Sequence, residues 1–135
     1  MRSREQALLH AYWDRVYSWA RRRSRLTPLL RLKVGCRTVS VRRAYDARAF
    51  MHTGHRPGTV CAVPQAARLA ANFIVGLFLH EIGHPLSWRL WRRSDQWDAD
   101  DSVLEVYRIR LRYQRPLLLE WVPDAVVRKI LGGDR

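Results

Sequence analysis

Lysine is almost missing from this chain. Lys33 and Lys129 stand against 23 arginines, and only 12 Asp and Glu oppose them, so the net charge is +13 and the pI about 11.2. A surface with so few acids cannot neutralise itself by ion pairing; its charge must meet solvent or an acidic partner. Cysteine is scarce as well. Cys36 and Cys61 form no C-x-x-C pair, which excludes a disulfide-dense scaffold and a cysteine-built zinc knuckle and suits reduced, buried thiols. Long apolar runs are absent. The longest, Leu69 to Leu79, is too short to cross a bilayer, and no apolar segment follows the basic residues near Met1. The expectation is therefore a cytoplasmic protein without a membrane span. No repeat, low-complexity tract or long linker divides the chain, and with 135 residues and 47% apolar content it can bury one core, a single domain over 1–135.

What the chain does have is the segment His80, Glu81, Ile82, Gly83, His84, an H-E-x-x-H pattern. On a helix, residues four apart lie on one face, so both imidazoles can reach one metal ion. Glu81 sits about 100° further round, too far to be a third ligand. It is well placed to take a proton from a water that the metal activates. The surroundings read as helix. Leu69, Phe73 and Leu77 continue the stripe that carries the two histidines, and Val75, Leu79, Ile82 and Leu86 fill another face. A helix apolar nearly all round is a buried one, and its blandest reading is two satisfied core histidines and a surface glutamate.

On these residues the chain resembles the zincin metallopeptidases, whose active-site helix carries H-E-x-x-H. The resemblance spans residues 58–101 and is sharp only in the pentapeptide. It implies zinc held by His80 and His84, Glu81 as general base, and a protein or peptide substrate. The metzincin extension is not present: Ser87 stands where its glycine would be and Leu90 where its third histidine would be. The third ligand must come from elsewhere, as in gluzincin-like families with a downstream acidic helix.

Four of the eight aspartates fall between Ser94 and Asp101. Acids in a first helical turn are ordinary, because the helix dipole favours them there. Counting back from the apolar stripe Val103, Leu104 and Tyr107 places Asp100 on the core-facing side, whereas Asp98 falls with Ser94, Asp101, Ser102 and Glu105. Asp100 is accordingly the expected third ligand. Asp98, then Asp95 or Glu105, and the loop histidines His52 and His55 are the alternatives. The stretch ending Ala99, Asp100 also resembles the E-x-x-A-D stretch of some gluzincins, in which the glutamate binds zinc and the aspartate supports a ligand; here Gln96 holds the glutamate position.

The arginines cluster at Arg21, Arg22, Arg23 and Arg25, at Arg42 and Arg43, at Arg89, Arg92 and Arg93, and at Arg108, Arg110 and Arg112, with Trp13, Trp19, Trp88, Trp91 and Trp97 near them. Such density suits a nucleic-acid phosphate backbone, with tryptophans for base stacking. Solubility and coding bias explain it equally well.

The expected fold class is α+β: a small sheet beside the buried metal helix, with N- and C-terminal helices. The apolar spacing of Ala7, Leu8, Ala11, Tyr12, Val16 and Trp19 predicts a helix over 4–24, broken at Thr27 and Pro28. Residues 37–41 read as a strand, and 49–52 with 59–63 as a hairpin. The metal helix follows from Pro64 and is expected to kink or stop near His84, because Pro85 lacks an N–H and clashes one turn back. An acidic helix over 98–107, strands over 108–113 and 117–122, and a helix after Pro123 complete the reading. The 59–63 strand, directly before the metal helix, is the expected cleft edge for an extended substrate. Tyr107 or Tyr113 would stabilise an oxyanion. Two other readings remain: a basic nucleic-acid- or partner-binding module that keeps the metal site as scaffold, and a hydrolase of non-peptide amides.

Overall fold

A computed structural model describes residues 3–35, 50–53, 57–114 and 119–132. The strand expected over 37–41, Cys36, Arg42, Arg43, His55 and the turn at Gly54 lie outside them. The fold is α+β, with elements in the order α1 (Arg4–Arg23), β1 (Arg31–Val34), β2 (Met51–Thr53), β3 (Thr59–Ala62), a 3-10 turn (Pro64–Arg68), α2 (Ala71–Trp91), α3 (Gln96–Tyr107), β4 (Arg112–Gln114), β5 (Leu119–Trp121) and α4 (Asp124–Leu131).

Helix α1 starts at a capping box: the Ser3 hydroxyl accepts from the Gln6 N–H while the Gln6 side chain accepts from the Ser3 N–H. Its buried stripe of Leu9, Trp13 and Val16 packs on the core, where the Trp13 and Phe78 rings meet edge-on at 5.2 Å. One sheet has the order β1-β3-β2, with β1 parallel and β2 antiparallel to β3; Leu32 pairs with Val60 and Met51 with Ala62. The hairpin expected from the sequence is thus present as β2 and β3. The expected cleft edge is not: β3 is the central strand, buried at every position, and its backbone groups are committed on both sides. Strands β4 and β5 form a second, antiparallel pair. No helix among the described residues is long and apolar enough to cross a membrane.

Helix α2 is the buried axis of the molecule, with Ile74, Leu77, Phe78, Leu79 and Ile82 inaccessible to solvent. It begins at Ala71, after the 3-10 turn that Pro64 initiates, and it continues past Pro85 to Trp91. The stop expected near His84 does not occur. Pro85 leaves the Glu81 carbonyl without its intrahelical donor; the Thr53 hydroxyl of β2 lies 3.2 Å from that oxygen and shares its one hydrogen between it and the Glu81 carboxylate. The Ser87 and Ser94 hydroxyls likewise donate to the His84 carbonyl, each at 3.0 Å. Termination comes instead at Arg92, in the left-handed region at φ 56°, whose N–H still reaches the Trp88 carbonyl.

Two glycines let neighbouring backbone approach α2. A Cβ on Gly76 would fall 2.6 Å from the Trp121 Cα and 2.7 Å from the Glu120 carbonyl oxygen, so β5 crosses the helix in direct contact. The Asn72 side chain fixes that crossing by donating to the Val122 carbonyl at 2.8 Å and to Asp124 at 2.7 Å. Gly83 does the same for α3, and Ser102 donates to the Gly83 carbonyl at 3.0 Å. Gly76, His80 and Gly83 share one helical face. The close packing on either side of His80 therefore brings carboxylates from both β5 and α3 to its ring.

Candidate metal centre

His80 is fully buried and Glu81 is 3% exposed, while His84 is half-buried. One donor atom from each lies within 4.8 Å of the others, the spacing of a shared metal ion. The helix that the sequence predicts therefore brings His80, Glu81 and His84 together.

Hydrogen bonds fix both histidine tautomers. The His80 Nδ1 lies 2.6 Å from Asp100 Oδ1, and an ionised carboxylate only accepts, so Nδ1 carries a hydrogen. The His84 Nδ1 lies 2.9 Å from the Ser94 carbonyl oxygen, which also only accepts. Each ring is thereby left with Nε2 as the nitrogen a metal could take, the arrangement that outer partners impose on ligand histidines. Glu81 accepts a hydrogen bond from Thr53 on its other flank.

Asp100 faces the site, as the apolar phase of α3 requires, but on the Nδ1 side of His80. It groups with His80 and Glu120, not with Glu81 and His84. Asp98 is turned away: it closes a capping box with Asp95, the N-cap of α3, and lies 3.3 Å from Arg93 Nε. Capping starts α3 at Gln96, two positions before the expected Asp98. It sets Gln96 and Asp100 one turn apart on the same face. The Gln96 Oε1 lies 2.5 Å from His80 Nε2, opposite Asp100 across the ring.

Glu120 was not among the residues singled out by sequence. It is fully buried in β5, with Oε2 3.5 Å from His80 Nδ1 and with neither oxygen hydrogen-bonded among the described residues. The available signal was a lone acid inside the apolar run Leu117 to Val122. Burial pushes its carboxyl from 4.5 up to about 7, against the pull of His80. For His80 burial works the other way, disfavouring the charged ring. The hydrogen bond to Asp100 and the charges of Glu81, Glu120 and Asp100 outweigh it and raise the imidazole from 6.5 to about 9.

Of the two candidate tyrosines, Tyr107 is buried at the far end of α3, its hydroxyl 2.6 Å from Thr27 Oγ1, and takes no part in the site. Tyr113 packs against Trp97, the neighbour of Gln96, with ring centroids 5.8 Å apart. His52 lies in β2, outside both donor groupings.

The chain matches no protein-family model, and no curated protein or solved structure shows significant similarity to it.

Proposed function

We propose that this protein is a minimal zinc-dependent hydrolase of zincin type, most simply a peptidase. The observation that carries the reading is the convergence of three donors on one turn of a buried helix. His80 and His84, one helical turn apart, both have Nδ1 on an oxygen acceptor, and one donor atom of each lies within 4.8 Å of the other and of the Glu81 carboxylate. The donors also fit zinc chemically, since neutral imidazoles and oxygen donors are its ordinary partners in open catalytic sites.

Zinc bound here would supply Lewis-acid activation of a water and of the scissile carbonyl. Glu81 accepts the proton at its carboxylate and returns it to the leaving amine. Thr53, donating to Glu81, holds that carboxylate in one rotamer. In this reading Asp100 orients His80 through Nδ1 and does not bind the metal itself. Tyr113 is the remaining candidate for stabilising an oxyanion, because Tyr107 is committed elsewhere.

The experiment is cleavage of unfolded casein by the zinc-loaded protein, compared with protein stripped by chelator and then reloaded. Hydrolysis that disappears and returns with zinc supports the reading. A protein that binds zinc and cleaves nothing favours the second reading, a basic module in which the metal site serves as scaffold. That reading draws on the exposed Trp88 under Arg92 and on Arg93 over the Trp91 ring, and adding DNA to the assay tests it.

A further inference from the structure

We infer that Gln96 is the third protein ligand, binding the metal through its side-chain amide oxygen, so that every protein atom touching the ion is neutral. The inference rests on the zinc-site reading above and concerns who completes it.

Three observations lead there. The first is position. With Nδ1 of His80 facing Asp100, Nε2 is the nitrogen left for a metal, and the Gln96 amide oxygen lies 2.5 Å from it. In the structure that contact is a hydrogen bond from the ring to the amide oxygen. Two atoms bound to one zinc in tetrahedral geometry stand about 3.4 Å apart, so the Gln96 side chain draws back by about 1 Å to admit the ion.

The second is the disposition of the acids. Asp100 and Glu120 both approach His80 from the Nδ1 side, Asp98 is tied into the cap of α3, and Glu81 is held by Thr53. None of these carboxylates other than Glu81 shares a donor grouping with His84. The third is local geometry. The Asp95–Asp98 capping box fixes the first turn of α3, and the close contact of Gly83 with Ala99 sets the depth of that helix against α2. The Gln96 side chain is thereby directed at the Nε2 of His80 by backbone that has little freedom to shift.

A carboxamide is a weaker donor than a carboxylate, so this centre should hold zinc less tightly than a two-histidine, one-carboxylate site. The carboxyl groups that such a site would place on the metal stand here behind His80, in Asp100 and Glu120.

The test is metal binding, read by competition with a chromophoric chelator for zinc and by the visible spectrum of the Co(II)-substituted protein. Gln96 is half-exposed at a helix start, so its variants should fold. Gln96→Ala should weaken zinc binding by more than the roughly 10–100-fold that loss of an outer-shell partner costs, and should alter the Co(II) spectrum. Gln96→Glu should bind zinc more tightly than the wild type. Asp100→Asn should weaken binding while leaving the Co(II) band positions in place. Unchanged affinity and spectrum in both Gln96 variants, with wild-type protein taking up one zinc, would overturn the amide-ligand assignment alone. A spectrum altered by Asp100→Asn but not by Gln96→Ala would do the same and return the ligand role to Asp100. Failure of the wild type to bind zinc at all would bring down the metal reading itself.

Discussion

Gly83 and Ala99 lie so close that a Cβ on Gly83 would fall 2.4 Å from the Ala99 carbonyl oxygen. The contact is backbone to helix, with no flexible side chain to give way. It is also the point where α2 and α3 meet beside the histidines: Ala99 separates Gln96 from Asp100 along α3, and Gly83 precedes His84. A glycine inside a helix costs about 1 kcal/mol relative to alanine, so its presence here reflects space, not propensity.

Gly83→Ala should therefore destabilise the protein despite alanine's better helix propensity. Overpacking of this kind typically costs about 1–3 kcal/mol. The α3 backbone must retreat, carrying Gln96 and Asp100 with it, so zinc affinity should fall along with stability. Urea denaturation and metal titration of the same variant measure the two effects. Stability equal to wild type would mean that the helices are not in contact at this point.

Metal content gives the most direct check on the histidines. One zinc per chain is expected in the purified protein, lost in the His80→Ala/His84→Ala double variant. One remaining oxygen donor with Glu81 should not hold zinc tightly. Elemental analysis after dialysis decides it, and full occupancy in the double variant would remove both residues from the site.

The helices and the hairpin were legible in the sequence because their information is local. Apolar spacing marks α1 and α2, and turn residues mark the β2–β3 hairpin. Strand β1 escaped notice: Arg31–Val34 carries no turn signal, and its partner β3 lies far along the chain, in parallel register. Pro85 does not end the helix for a similar reason: the Glu81 carbonyl that it deprives of a donor lies 3.2 Å from the Thr53 hydroxyl, on a strand distant in sequence. Residues 108–111, whose alternation suggested strand, lie outside the ladder that begins at Arg112. At the site, His80, Glu81 and His84 follow from spacing alone. Gln96 and Glu120 do not, since a neutral amide rarely announces a ligand and the position of Glu120 depends on β5 crossing Gly76.

Alkaline pH should expose the role of Tyr107. Burial raises its hydroxyl from 10.0 to about 12, with the Thr27 hydrogen bond opposing. The folded value lies above the unfolded one, so the protonated phenol contributes stability that is fully present below about pH 10. That contribution is lost as pH rises through about 12, on the order of 2 kcal/mol over the window. Tyr107→Phe should flatten this alkaline limb. At pH 7 it should cost about 1 kcal/mol for the lost hydrogen bond, Thr27 keeping its bond to the Ala20 carbonyl at 2.9 Å. Denaturant midpoints between pH 7 and 12 test both statements.

The arginine surface makes a separate prediction. Arg21, Arg22 and Arg23 are exposed at the end of α1, with Arg23 over the Trp19 ring at 5.3 Å. If this cluster meets phosphates, affinity for single-stranded DNA should fall steeply with salt. Replacing the three arginines by glutamine should then reduce the log–log slope by up to about three units. Filter binding at several salt concentrations measures the slope. An unchanged slope would assign the cluster to solvent or to a protein partner.

Glu81 carries the hydrolytic claim, and its surroundings allow that claim to be tested without disturbing the metal. It is buried, and Thr53 donates to its carboxylate, so the group is held in place by a neutral hydroxyl. Glu81→Gln preserves size and the bond from Thr53 but cannot accept a proton. The variant should keep one zinc per chain and lose hydrolysis by about 10²–10⁴-fold, the usual contribution of general-base catalysis. Thr53→Val should leave zinc in place as well, but it frees the carboxylate rotamer and removes the hydroxyl beside the Glu81 carbonyl. A fall in kcat of about 10–100-fold is expected, matching the 1.5–3 kcal/mol of a hydrogen bond to a charged group, with Thr53→Ser restoring activity. Casein hydrolysis and zinc content measured on the same preparations separate the two effects. If Glu81→Gln retained activity within about tenfold of the wild type, proton transfer would belong to another group, and the zincin mechanism would not describe this protein.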